Sequence, residues 1–299
     1  MRIRPFEYLA PESLEEALTE LRNFGSDTVL LAGGTDLILA MKHQAVLPAR
    51  VIGLQKIQEL NFVKQKNSTI RIGALATLSW LCDHDVILRR LPMLGEAVSM
   101  IGSWQIRNIA TLGGNLCNAS PATDSAPPLL ALDSRVVLAD SNGEQEAPLS
   151  SFFLGPGQTA LTPSQILKEV IIEIPSNPYS GCYLKMTRKR GIDLAVVGVA
   201  FHAEIDPSTQ TLAKVAIALG GVAPTPMRAT EAEKILAGLS SEEALRALAD
   251  AAQAAVAATT PIDDIRATAE YRKAIVEVYV RQAGAKVINS LVKAGGNRN

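Results

Sequence analysis

Two short stretches hold the residue types best suited to chemistry. They are Ala32, Gly33, Gly34, Thr35 and Asp36, and then Thr111, Leu112, Gly113, Gly114 and Asn115. A glycine lacks Cβ, so the backbone turns tightly and brings its N–H groups against an anion, and a helix starting just beyond adds a favourable dipole. Each double glycine follows an apolar run that reads as a strand, so two such loops suit the clasping of a diphosphate from both sides. Neither loop spells G-x-G-x-x-G or G-x-x-x-x-G-K-S/T, which removes the main support for a Rossmann or an ATP-hydrolysing protein. Taken singly, either pair is equally a tight turn between elements.

Other chemistry-bearing residues are sparse. Cys82, Cys117 and Cys182 lie too far apart for a C-x-x-C pair and are too few for the four thiolates of an iron–sulfur cluster. They read as small buried or partly buried thiols. His43, His84 and His202 are isolated from one another and from the cysteines, so no metal site is expected, and no Ser–His–Asp arrangement can be argued. No side-chain nucleophile or catalytic residue is assigned. The basic run Arg188, Lys189, Arg190 reads as solvated surface, a partner contact or the mouth of a cofactor site.

The elements that must position these residues are legible in the apolar pattern. With 299 residues, 47% of them apolar, the chain can build substantial cores, which excludes disorder. A net charge of −1 gives no broad basic surface for nonspecific nucleic-acid binding. Residues 1–10 alternate charged and apolar types without the apolar core of an export signal, and no run reaches the roughly 20 apolar residues needed to cross a bilayer. A soluble, cytoplasmic protein is expected.

Ser13 and Glu16 make a capping box for a helix over residues 13–24, and residues 28–31 form a strand that ends in Gly33 and Gly34 before helical character resumes at 37–41. Further strands are expected at 50–54 and 69–74, and a helix at 92–100. Residues 120–128, rich in Ser, Pro and Asp, read as a loop. Strands at 135–139 and 169–174 follow, and the break at 175–181 marks the main boundary. Beyond it lie strand-like runs at 182–187, 194–203 and 212–219, a capping box at Ser240 and Glu243, and a long helix over 271–291. The first part is mixed α/β and the second α+β. A helix face in the second part serves core packing or a partner.

The stretch from Gln105 to Asn115, QIRNIATLGGN, continued by Ala119, Ser120, Pro121 and Asp124, strongly resembles the FAD-binding medium subunits of molybdenum hydroxylases. These include the flavin subunits or domains of carbon monoxide, xanthine and nicotinate dehydrogenases. LAGGTDL at 31–37 matches the family's first flavin loop, and KMTRKRGIDLA at 185–195 resembles the segment that runs beneath the flavin ring. The three motifs occur in the family's order, and the resemblance covers nearly the whole chain.

The resemblance implies an α+β chain in two domains. A two-part FAD-binding domain of the PCMH (vanillyl-alcohol-oxidase-like) type would span 1–176, with subdomains of about 1–56 and 57–176. A smaller domain of the carbon monoxide dehydrogenase flavoprotein type, with a three-stranded antiparallel sheet and helices, would span 177–299. Ala32 to Asp36 and Thr111 to Asn115 would surround the diphosphate and ribityl chain, chiefly through backbone amides, with Thr35, Thr111 and Asn115 adding side-chain hydrogen bonds. Asp124 would accept from a ribityl or ribose hydroxyl; it is otherwise a loop cap. Lys185 would stabilise negative charge on the reduced flavin; it is otherwise a solvated strand-end charge. Leu194 would pack on the ring, where some relatives carry an aromatic residue.

The implied partners are a large molybdopterin subunit and a small [2Fe-2S] subunit, in a heterotrimer or its dimer, with NAD+, oxygen or a quinone as final acceptor. The family variant with an extra cluster in its flavin subunit is not matched by three scattered cysteines. Two rivals remain at this stage, a self-sufficient FAD oxidase and a non-catalytic assembly module.

Overall fold

The computed structural model describes residues 3–189 and 191–296. Arg190 of the basic run, Met1 and Arg2 of the N-terminal stretch, and residues 297–299 lie outside the described residues. The chain runs β1 (Glu7–Leu9), α1 (Leu14–Phe24), β2 (Thr28–Leu31), α2 (Leu37–Lys42), β3 (Arg50–Gly53), β4 (Val63–Lys66) and β5 (Thr69–Gly73). Short helices α3 (Leu78–Asp83), α4 (Asp85–Arg90), α5 (Pro92–Ser99), α6 (Trp104–Arg107), α7 (Leu112–Cys117) and α8 (Ala126–Ala131) follow. Then come β6 (Arg135–Asp140), β7 (Gly143–Pro148), β8 (Phe153–Gly155), β9 (Gln158–Thr159) and β10 (Ile166–Glu173). The remainder is β11 (Tyr179–Met186), β12 (Val197–Ile205), β13 (Leu212–Gly220), β14 (Met227–Arg228), α9 (Thr230–Leu236), α10 (Ser241–Ala257) and α11 (Ala269–Gly296).

Two compact units result, and they cross the boundary that the sequence marks near residue 176. The first comprises the chain up to Leu81 with Ser103–Ala119 and Ser134–Ile172; the second comprises Cys82–Gly102, Ser120–Asp133 and everything from Glu173. Composition at 175–181 announces a break in the chain, whereas the apolar helices α5 and α8 join the later segment through long-range packing.

In the first unit, β1, β3 and β2 form a parallel sheet in that order, with α1 and α2 as the crossovers. Helix α1 forms because the Ser13 hydroxyl accepts the Glu16 N–H and because Leu14, Ala17, Leu18 and Leu21 fall on one face. The Glu16 carboxylate takes the N–H of Glu12, so the expected capping box closes on one side only. That apolar face packs on Ile52, Leu54, Ile57, Leu60 and, from the second sheet, Ala139 and Ile166. The second sheet has the order β4-β5-β10-β6-β7. A two-residue turn, Ser141 and Asn142, joins β6 to β7, and Gly143 already pairs with Asp140.

In the second unit, β11, β12 and β13 are the three long antiparallel strands expected, and the two-residue β14 adds an edge. Every residue of β12 is buried, because both faces of the sheet are covered. Alternation along β11 sends Cys182, Leu184 and Met186 into the core shared with α9, α10 and α11. The opposite face, which carries Gly181 and Tyr183, meets α5 and the segment leading to α8: a Cβ at Gly181 would strike Met93 at 3.1 Å. Residues 120–125 are the loop expected, while Pro127 and Pro128 already belong to the first turn of α8, where proline's missing N–H costs nothing.

Candidate cofactor-binding site

The first glycine stretch leaves the C-terminal end of β2 and enters α2. Gly34 has φ +74°, a conformation that favours glycine. Among the described residues, no protein acceptor takes the backbone N–H of Gly33, Gly34, Thr35, Asp36 or Leu37. A run of uncommitted amides about a left-handed glycine is the form of a backbone nest for an anion. The loop is held from behind: Gln55 Nε2 donates to the Ala32 carbonyl at 2.7 Å, and Gln55 Oε1 accepts from the Tyr8 hydroxyl at 3.4 Å. The Thr35 hydroxyl donates to Asp36 Oδ2 at 3.1 Å.

The second stretch differs from its expected form in two ways. It does not follow a strand: residues 104–107 are helix α6, capped where the Ser103 hydroxyl accepts the Ile106 N–H. Gly113 and Gly114 do not make a turn either, since they lie in the first turn of α7, capped by Thr111. The spacing of Ile106, Ile109 and Leu112, three residues apart, suits helical turns, and the Ser103 and Thr111 caps divide the stretch into two short helices. The amides here are already committed. Leu112 N–H donates to Ala76 O, Gly113 N–H to Ala74 O, Gly114 N–H to Thr111 Oγ1 and Asn115 N–H to Thr111 O, at 2.9–3.0 Å. Uncommitted backbone amides thus occur at the first stretch and not at the second.

The two stretches abut. A Cβ on Gly33 would fall 2.0 Å from the Ile109 carbonyl oxygen, and one on Gly113 would fall 2.6 Å from Ala74 Cβ. These two glycines exist for close backbone packing. At Gly114 a Cβ would meet only Thr111 Oγ1 at 3.0 Å and Ala32 Cβ at 3.7 Å, so this position faces the first loop across a gap. The fit to a diphosphate is thus one loop of donors braced on one rigid helix start.

In the second unit, Lys185 and Asp124 meet each other. Lys185 Nζ lies 2.8 Å from Asp124 Oδ2, with both side chains 5% exposed, so neither the solvated lysine nor the simple loop cap describes them. Asp124 Oδ1 accepts the Tyr183 hydroxyl at 2.7 Å, and Lys185 also donates to the Met100 carbonyl at 2.8 Å. Burial pushes the Asp124 carboxyl above its usual range, against the pull of Lys185 and Tyr183. Burial likewise raises the Tyr183 phenol well above its ordinary value, and the Asp124 charge adds to this. Leu194 is half exposed, at 50%, on a segment fixed by Asp193, whose carboxylate accepts the N–H groups of Leu194 and Arg188. Tyr183, Gln55 and the Met100 carbonyl have no motif around them in the sequence.

Among the described residues, no group of three or more His, Cys, Asp or Glu side chains is placed to hold a metal ion, and no helix is long and apolar enough to cross a membrane. Residues 4–176 match the family described as the FAD binding domain in molybdopterin dehydrogenase, and residues 182–287 match the carbon monoxide dehydrogenase flavoprotein C-terminal domain. The carbon monoxide dehydrogenase medium chain of Hydrogenophaga pseudoflava is 34% identical over 279 residues, covering 93% of this chain and 95% of that one. The xanthine dehydrogenase FAD-binding subunit of Escherichia coli O157:H7 is 29% identical over 273 residues, 90% of each. A solved carbon monoxide dehydrogenase chain from Hydrogenophaga pseudoflava superposes with a TM-score of 0.91 at 34% identity, covering 97% of this chain and 99% of that chain. The order of the two matched domains and these likenesses agree: the chain belongs to the FAD-binding subunits of the molybdopterin dehydrogenases, a family of oxidoreductases.

Proposed function

We propose that this chain is the electron-transfer subunit of a cytoplasmic molybdenum hydroxylase, standing between a small [2Fe-2S] subunit and a final acceptor among NAD+, oxygen and a quinone. A large molybdopterin subunit completes a heterotrimer or its dimer. The observation that carries the reading is the uncommitted amide run at residues 33–37, which can take a diphosphate without any basic side chain. FAD supplies the one- and two-electron redox chemistry that side chains lack.

The protein's own residues position and bias. The amides of Gly33 to Leu37 donate to phosphate oxygens, and hydrogen bonds to a charged group stabilise by about 1.5–3 kcal/mol each. Thr111, Gly113, Gly114 and Asn115 form the brace that backs the first loop, with the Thr111 hydroxyl capping it and the Thr35 hydroxyl bonded to Asp36. Lys185, held by Asp124 and the Met100 carbonyl, would offset negative charge on the flavin, and Leu194 would cover an apolar face of it. The test is FAD content per chain, measured from the visible spectrum, in the wild type and in Gly114→Leu. The leucine fills the gap that the brace leaves at Ala32, so the wild type retains one FAD and the variant retains none. Equal retention in both would remove the loop assignment.

A further inference from the structure

Tyr183 is 2% exposed, and its hydroxyl is donated to Asp124 Oδ1 at 2.7 Å. The other carboxylate oxygen accepts from Lys185, so the carboxylate is held at both ends. An ammonium has three N–H donors. Two of those on Lys185 go to Asp124 and Met100, and among the described residues the third has no protein acceptor. A buried charged donor left unpaired is costly, so the third N–H marks where a ligand acceptor completes the site.

Room for the phenol comes from the neighbouring strand. Gly198 on β12 is paired with Lys185 on β11. A Cβ built on Gly198 would fall 2.4 Å from the Tyr183 hydroxyl. Strand alternation puts Tyr183 and Lys185 on the same face, and the missing Cβ lets the phenol lie along that face as far as Asp124.

We propose that Tyr183 is a positioning residue that acts through Asp124: by occupying Oδ1 it keeps the carboxylate turned so that only Oδ2 meets Lys185, which leaves Lys185 with one N–H for the flavin. Gly198 is the second part of the device. The proposal rests on the assignment of Lys185 to the flavin. Without the phenol, one carboxylate oxygen loses its donor in a desolvated site, and the carboxylate turns that oxygen to Lys185 and takes up the N–H that would reach the flavin.

The experiment is spectroelectrochemical titration of the FAD in the intact complex for wild type, Tyr183→Phe, Gly198→Ala and Lys185→Met, with FAD content measured first. Lys185→Met is expected to lower the flavin midpoint potential. Tyr183→Phe and Gly198→Ala are expected to lower it by a smaller amount with FAD content unchanged. A phenol with a merely structural role would reduce thermal stability and leave the potential where it is. If Lys185→Met shifts the potential while Tyr183→Phe and Gly198→Ala both titrate as wild type, the proposal is overturned and the Lys185 assignment stands. If Lys185→Met leaves the potential unchanged, that assignment fails and takes the proposal with it.

Discussion

The four glycines of the two loops divide into distinct tasks. Gly33 and Gly113 permit backbone to approach backbone, Gly34 adopts a left-handed turn, and Gly114 leaves a gap. Substitution at Gly33 or Gly113 should therefore unfold the loops, whereas Gly114→Leu should leave the fold intact and abolish FAD retention. Gln55→Ala removes one hydrogen bond to the first loop, worth about 1 kcal/mol, so FAD affinity should fall roughly fivefold; fluorescence titration with FAD checks this, and an unchanged affinity would show that Gln55 does not brace the loop. Gly33, Gly34, Gly113 and Gly114 are legible in sequence because a doubled glycine marks a place where no other residue type fits, whether for packing or for an open backbone. Gln55 and Tyr183 are not, because each acts by reaching a partner 23 or 59 residues away, a distance that no local pattern encodes. Lys185 and Asp124 are legible singly, but their pairing is not.

At the scale of elements, capping and apolar spacing carry most of the fold. Ser240 and Glu243 form both halves of a capping box on α10, so Ser240→Ala should cost about 1 kcal/mol in chemical unfolding. Helix α11 approaches α10 and β12 so closely that a Cβ on Gly284 would lie 2.5 Å from Leu248 and 3.0 Å from Phe201. Gly284→Val should destabilise the second unit by about 1–3 kcal/mol through overpacking. Charge ties the turn after α8 to β13 and β14: Asp133 accepts from Lys214 at 2.7 Å and from Arg228. Burial opposes ionisation of Asp133, but these two cations overcome it and hold the carboxyl below its usual value. An aspartate depressed in the folded state contributes stability above its unfolded pKa of about 3.9, and that contribution is lost as pH falls through the folded value. Asp133→Asn should lower the melting temperature at pH 7 and flatten its decline below about pH 4. The asparagine tolerates the left-handed backbone at this position, φ +49°, so a wild-type acid profile in that variant would exclude the ion pairs as its source. The strand β4, whose sequence is VKQK, escapes detection because three of its four residues are polar. Helix α6 is mistaken for strand because four residues are too few to display a period.

For the whole molecule, the two compact units draw on interleaved stretches of chain, an arrangement set by long-range packing of α5 and α8 that composition does not announce. The reading as one subunit of a larger assembly separates cleanly from that of an oxidase complete in itself: the chain alone should bind FAD and turn over no organic substrate. The most direct measurement is native mass spectrometry combined with a visible spectrum on material purified gently from its natural host. One FAD per chain, together with a molybdopterin-bearing large chain and a [2Fe-2S] small chain, is the predicted result. A yellow chain found alone and oxidising a substrate unaided, or a chain that stays colourless with FAD present, would contradict it.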